Sequence, residues 1–316
     1  MTGETEPAPG NRGKRLPDYF FVLRPTLWFP VWTMILAGAG GVALPGVNAL
    51  PDIAAITGLS ILWGWVYLVN QIADIQTDRV NDKLFYFAEG WFSRREGIAY
   101  SIALFVVGTV LLLLSEKWTL FALTLGVLMF SGILYSIIPG AWKNHPFGSV
   151  VATLLGGALC FLIGRALAGR PLFDSPLQTA GYAAAFLAAG LLTMVPDMKG
   201  DREAGKRTFA VVYGVRSTAW TAVLLLMGAV LASLASGDMV LLSASVVSLP
   251  FYLAGAARLN ASAVAFAARF SILLLSLSVG LLLYPGYLAI IGIYYLLARV
   301  YYHKRFGLRY PTLTGR

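Results

Sequence analysis

"AAITGLSILWGWVYLVNQIADIQTD", residues 54–78, joins a long apolar run to a file of acids. The apolar half, taken as 52–72, approaches the ~20 residues that a helix needs to cross hydrocarbon. Comparable runs lie near 28–46, 98–115, 118–138, 148–168, 178–196, 216–236 and 238–257. The strand alternation of an outer-membrane barrel is absent. The chain of 316 residues is 58% hydrophobic and only 12% charged, about half the charged share of a soluble domain. The expected fold is an all-α polytopic membrane protein, a bundle of nine or ten transmembrane helices.

The count turns on the C-terminal run from about 265 to 302. It is too long for one ordinary span, and "YPG" at 284–286 interrupts it with a proline that a helix interior does not tolerate. Two segments make ten spans; one makes nine. The expected divisions are a disordered cytoplasmic tail over 1–22, a single membrane domain over 23–303 and a basic cytoplasmic tail over 304–316. The start is polar and Pro/Gly-rich, without the apolar core of a signal peptide.

The net charge of +9 does not call for nucleic acid. With a cytoplasmic N-terminus, all of the 24 Lys and Arg except Lys117, Arg165 and Arg170 fall on the cytoplasmic side, as the positive-inside rule demands. The expected location is the cell (plasma or inner) membrane, with the acidic loops facing the cytoplasm. The one cysteine, Cys160, excludes an intrachain disulfide and reads as a buried inert thiol.

The acids are concentrated. Asp74, Asp78, Asp82, Glu89 and Glu96 follow the second apolar run; Asp197, Asp201 and Glu203 follow the sixth, in "VPDMKGDREAGKRT". Asn70, Asp74 and Asp78 stand at four-residue steps, so on a helix they share a face over ~12 Å. Asp82 extends the series, and Asp197 and Asp201 repeat the step. The similar placement of the two clusters hints at a duplicated architecture.

Like charges at this spacing destabilise a helix by a few tenths of a kcal/mol, and more as they are desolvated. Cations reverse the sign. Carboxylate oxygens suit Mg²⁺, which retains water and favours phosphate as a further ligand. Two acidic faces around Mg²⁺ make a receptor for a diphosphate. Arg79, Lys83, Lys199, Arg202, Lys206 and Arg207 stand beside them as partners for phosphate oxygens. The plainer reading, solvated helix ends, suits any single Asp; it does not account for the repeated face.

Two motifs resemble the UbiA superfamily of membrane prenyltransferases: "NQIADIQTD" and "DMKGDREAGKRTFAVVYG", in that order and after the second and sixth helices. "LYSIIPGAWKNHP" resembles the family segment after helix four. The resemblance covers most of 20–290. It implies a helical bundle around a central cavity and a polyprenyl diphosphate held through Mg²⁺. Asn70, Asp74, Asp78, Asp197 and Asp201 would be metal ligands, and the Asp residues with Tyr135 would be catalytic. Asn70, Arg79, Lys83, Lys143, Lys199 and Arg202 would be substrate contacts. The implied partners are the polyprenyl diphosphate, a small acceptor read as aromatic, and the bilayer; the implied pathway is that of quinones or other prenyl lipids.

The sequence departs from the family in places. Asn70-Gln71 replaces Asn-Asp, as in homogentisate-type members. "NDKLFYFAEG" lacks the usual Arg-Pro pair, with Phe85 and Tyr86 near those positions, and Thr193 replaces an acid. His145 and His303 read as interfacial, and Arg165 as snorkelling outward. A terpene cyclase of the same fold is a second reading, favoured by an aromatic-lined cavity near Phe85, Tyr86 and Tyr135. An ion-coupled transporter is a third, disfavoured because the acids lie at helix ends rather than at the midplane.

Overall fold

The computed structural model describes residues 13–42, 50–80, 86–138 and 140–313. Lys83, with Asp82 and Phe85, lies outside the described residues. The described chain is all-helical. It begins with a short helix α1 (Leu16–Phe21), followed by α2 (Trp28–Ala39), α3 (Leu50–Ala73) and a second short helix, α4 (Ile75–Val80). Next come α5 (Arg94–Leu114) and α6 (Trp118–Val127), which widens without a break into π-helical winding over Leu128–Ile137. The remainder is α7 (Pro146–Leu167), α8 (Pro176–Thr193), the short α9 (Met198–Glu203), α10 (Phe209–Ser236), α11 (Met239–Arg258), α12 (Ala261–Leu282) and α13 (Pro285–Phe306).

Eight spans among the described residues are long and apolar enough to cross a membrane, α1 and α2 counting as one. The sequence-based nine or ten is reached only with α8 and α13, of 18 and 22 residues. Both are less apolar: α8 is built largely from Ala and Gly, and α13 carries several Tyr and Arg. The chain does break at Tyr284, with Pro285 opening α13 where its missing N–H costs nothing.

Outward faces carry exposed Val106, Val110, Leu114, Leu224, Leu231 and Leu234, side chains that lipid solvates better than water. Inward, small residues let helices touch. A Cβ built on Gly38 of α2 would lie 1.9 Å from the Phe161 carbonyl oxygen, and one on Gly164 of α7 would lie 1.8 Å from the Ile35 oxygen. The α2–α7 crossing therefore brings backbone against backbone, and only glycine fits at either point. Helices α2, α7, α8, α10, α11 and α12 pack in succession. A mostly apolar cavity of about 220 Å³ lies among α2, α8, α10, α11 and α12, with Tyr67 of α3 in its wall.

Three sequence expectations change. Residues 16–21, assigned to the tail, form a helix whose Asp18 is 1% exposed. Its carboxylate pairs with Arg305 of α13 at 2.8 Å and accepts a 2.5 Å hydrogen bond from Tyr301, so burial of the tail follows from a charge partner at the far end of the chain. Residues 304–306, assigned to the other tail, finish α13. Arg165 does not snorkel. It is fully buried, donates from Nε to the Pro171 carbonyl at 2.7 Å and pairs with Asp174, so the turn after α7 comes to the guanidinium.

Replacing Gly164 by Ala drives a methyl into an immobile carbonyl. Overpacking of this kind costs ~1–3 kcal/mol. Gly164→Ala should lower the melting temperature in detergent, whereas Gly228→Ala, on α10 with nothing within 4 Å of the added Cβ, should not.

Candidate active site

The acids sit where long helices give way to short ones. Asp74 follows the last residue of α3, its N–H bonded to the Asn70 carbonyl at 3.0 Å, and the Asp78 N–H returns to the Asp74 carbonyl at 2.9 Å. The helical path is thus nearly continuous through the junction, and Asn70, Asp74 and Asp78 keep their common register. On the other side Asp197 caps α9, and the Asp201 N–H bonds its carbonyl at 3.0 Å. Helices α4 and α9 pack against each other, which brings the two motifs together.

Lysines sit between them. Lys206 Nζ lies 2.6 Å from Asp74 Oδ1 and 3.6 Å from Asp201 Oδ1. Lys143 Nζ lies 2.9 Å from the same Asp74 oxygen. Burial alone would raise the pKa of Asp74, but the two ammonium groups outweigh it and hold the carboxyl below its usual value. Burial also lowers the pKa of Lys143 against the opposing pull of Asp74. Asp78 and Asp201 are both buried, and Arg24 Nη2 stands 3.8 Å from Asp78 Oδ2.

Local backbone chemistry explains how Lys206 gets there. Helix α9 ends in a Schellman turn: the Gly205 N–H bonds the Arg202 carbonyl and the Lys206 N–H bonds the Asp201 carbonyl at 2.8 Å. Gly205 takes the left-handed conformation this turn requires, with φ of 71°. The chain reverses there and returns Lys206 over Asp201. One residue on, the Arg207 N–H bonds the Asn144 carbonyl at 2.9 Å and ties this turn to the segment carrying Lys143.

Of the residues singled out from sequence, Asp74 and Lys143 pair directly, and Lys206 links Asp74 to Asp201. Asn70 donates from its side chain to Ser136 Oγ at 3.2 Å, joining α3 to the π-helical end of the fourth span. Tyr135, one residue away on that wide turn, lies within electrostatic reach of Asp74, Asp197 and Asp201. Arg79 donates to the Ala88 carbonyl at 2.8 Å, and Lys199 and Arg202 are exposed. Lys206 stood out in the sequence only as one of several neighbouring basic residues, and Arg24 did not stand out at all. The signal for Lys206 was Gly205, which ends the helix; a lone Arg24 before Pro25 offered none.

Among the described residues, no three His, Cys, Asp or Glu side chains come close enough to hold a metal unaided. Mg²⁺ asks for less, one or two carboxylates with water and phosphate completing the shell. Asp74 and Asp201, already sharing one cation, fit that requirement. The apolar cavity reaches the same end: Thr193, four residues before Asp197, and Tyr67, seven before Asp74, are in its wall. Tyr86, by contrast, is buried away from it, its hydroxyl 2.7 Å from that of Tyr301.

A digeranylgeranylglyceryl phosphate synthase of Halobacterium salinarum is 30% identical over 185 residues, 57% of this chain and 64% of that one. A chloroplastic homogentisate phytyltransferase of Arabidopsis thaliana is 32% identical over 184 residues, 51% of this chain and 44% of that one. The chain thus spans less than two-thirds of either relative. The structure of a UbiA homolog from Archaeoglobus fulgidus bound to GPP and Mg²⁺ superposes with a TM-score of 0.62 at 18% identity, covering 84% of this chain and 99% of that one, which establishes the shared fold. The sequence model of the UbiA prenyltransferase family matches residues 26–270, both acidic helix ends included, and the chain belongs to that family as an integral membrane protein.

Proposed function

We propose that this protein transfers a polyprenyl group from its diphosphate to an aromatic acceptor, in the biosynthesis of a quinone or another prenyl lipid. One observation carries the reading: two acidic helix ends 123 residues apart in sequence meet around one shared cation, Lys206, and an apolar cavity begins one to two helical turns away at Thr193 and Tyr67. The acidic end takes the polar head of the substrate and the cavity takes its hydrocarbon chain.

In the reaction the allylic C–O bond breaks, the diphosphate leaves with the electron pair, and the allylic carbon bonds to the acceptor, which loses a proton. Mg²⁺, when bound, would neutralise charge growing on the leaving diphosphate. Asp74, Asp78, Asp197 and Asp201, with Asn70, would hold it. Lys143 and Lys206 add fixed positive charge at the same place, worth more in a site shielded from water. Tyr135 offers its ring to the allylic cation. The apolar wall keeps water from quenching that cation.

The names of relatives divide between a glyceryl phosphate acceptor and the aromatic homogentisate. The Asn70-Gln71 pair leans toward the second. Tyr86 is engaged with Tyr301 rather than turned to the cavity, so the aromatic lining that would favour cyclisation lacks that member. The orientation proposed from charge places the acidic end in the cytoplasm.

The test is purified protein with geranylgeranyl diphosphate, Mg²⁺ and a panel of acceptors, following diphosphate release and lipid products. A prenylated aromatic product is expected; a hydrocarbon or alcohol as the sole product would replace transfer by cyclisation. Asp74→Asn and Asp201→Asn should each lower kcat by about 10²–10³-fold while the protein still folds. Lys206→Met should raise KM for the prenyl diphosphate by ~10-fold or more, the worth of one charge-assisted hydrogen bond. Chelation with EDTA should stop diphosphate release, and added Mg²⁺ should restore it.

A further inference from the structure

The last quarter of the chain contains no acid. After Asp238 there are seven Lys or Arg and no Asp or Glu. Arg305 finds its counter-ion in Asp18. Arg299 and Arg309 have no carboxylate partner among the described residues; Arg299 donates only to the Tyr295 hydroxyl, at 3.2 Å.

These two cations border a groove of about 320 Å³ whose walls are Leu296, Arg299, Val300, His303, Leu308 and Arg309. The groove faces away from the bundle. Helix α13 buries Tyr287, Ala298 and Tyr302 inward, and the grooved face lies opposite, with Leu296 and Val300 more than half exposed. Arg299 and His303 are one turn apart on that face. Arg309 arrives from the chain beyond the helix, which reverses at Gly307 with φ of 70°. The reversal is held in place: the Gly307 N–H bonds the His303 carbonyl at 2.9 Å. Tyr310 packs its ring on Tyr302 at 4.8 Å, and its hydroxyl lies 3.1 Å from Thr26 Oγ1. Arg309 is therefore set beside Arg299 by structure on its far side.

Exposed Ile293 continues the apolar stripe down the helix from Leu296 and Val300. A paired cationic rim above an apolar stripe, on the lipid side of a membrane protein, matches an amphiphile with an anionic head and acyl chains. We propose that this groove binds an anionic phospholipid, its phosphate between Arg299 and Arg309 and an acyl chain along Val300, Leu296 and Ile293. The site lies on the outer face of α13 and beyond the residues that the family model matches.

Native mass spectrometry of the full-length protein from micelles holding equal phosphatidylglycerol and phosphatidylcholine tests this. The wild type should retain phosphatidylglycerol preferentially. Arg299→Gln with Arg309→Gln should lower that retention about thirtyfold, as expected for two basic groups at a headgroup. Arg94→Gln with Arg95→Gln, which removes the same charge from two exposed residues at the start of α5, should leave it unchanged. Both double variants should release diphosphate at the wild-type rate. Equal losses from the two double variants would overturn the site, as would no preference over phosphatidylcholine. Displacement of the lipid by millimolar inorganic phosphate or by geranylgeranyl diphosphate would overturn the assignment to a phospholipid.

Discussion

A single ammonium group touching two carboxylates from distant parts of the chain is the contact on which the rest depends. Lys206 lies against Asp74 and Asp201, and without a cation there the α4 and α9 ends would repel. In a partly desolvated site that repulsion is not screened by water. The chain therefore carries its own positive charge into the gap, twice, through Lys206 and Lys143. The arrangement keeps the acidic ends close enough to act on one anion. It also sets the electrostatic balance a diphosphate would meet, carboxylates that need metal to accept it and lysines that do not.

Below this polar end the requirement inverts. The cavity wall is mostly hydrocarbon, and its few hydroxyls are largely satisfied within the protein. Ser248 and Ser271 bond carbonyls of their own helices at 2.6 and 2.8 Å, and Tyr67 bonds the Leu27 carbonyl at 2.9 Å. A polar group spent on the backbone presents little to a bound chain. The separation of polar and apolar functions along one axis is what an amphiphilic substrate demands, and helices that end in acids at one level achieve it with ordinary geometry.

The main features were legible in sequence because they are local and periodic. Apolar runs of membrane length show the spans, four-residue steps place Asn70, Asp74 and Asp78 on one face, and a proline marks the break before α13. What was not legible depends on contacts between distant segments. Asp18 looked like part of a polar tail because its partners Tyr301 and Arg305 lie more than 280 residues away. Arg165 looked like a snorkelling residue because the turn that neutralises it could not be placed. Arg79 looked like a phosphate contact from its position beside Asp78, and the bond from its Nε to the Ala88 carbonyl could not be foreseen from that position. Lys206 was the intermediate case, since Gly205 announces a chain reversal but not its target.

The Asp18–Arg305 pair has a bearing on how the protein is made. Asp18 sits in α1 and Arg305 in α13, 287 residues later. A buried carboxylate without its partner costs several kcal/mol, so the seat of α1 depends on α13 being in place. Docking of α1 is therefore coupled to that of α13, and loss of Arg305 leaves the Asp18 carboxylate without its charge partner.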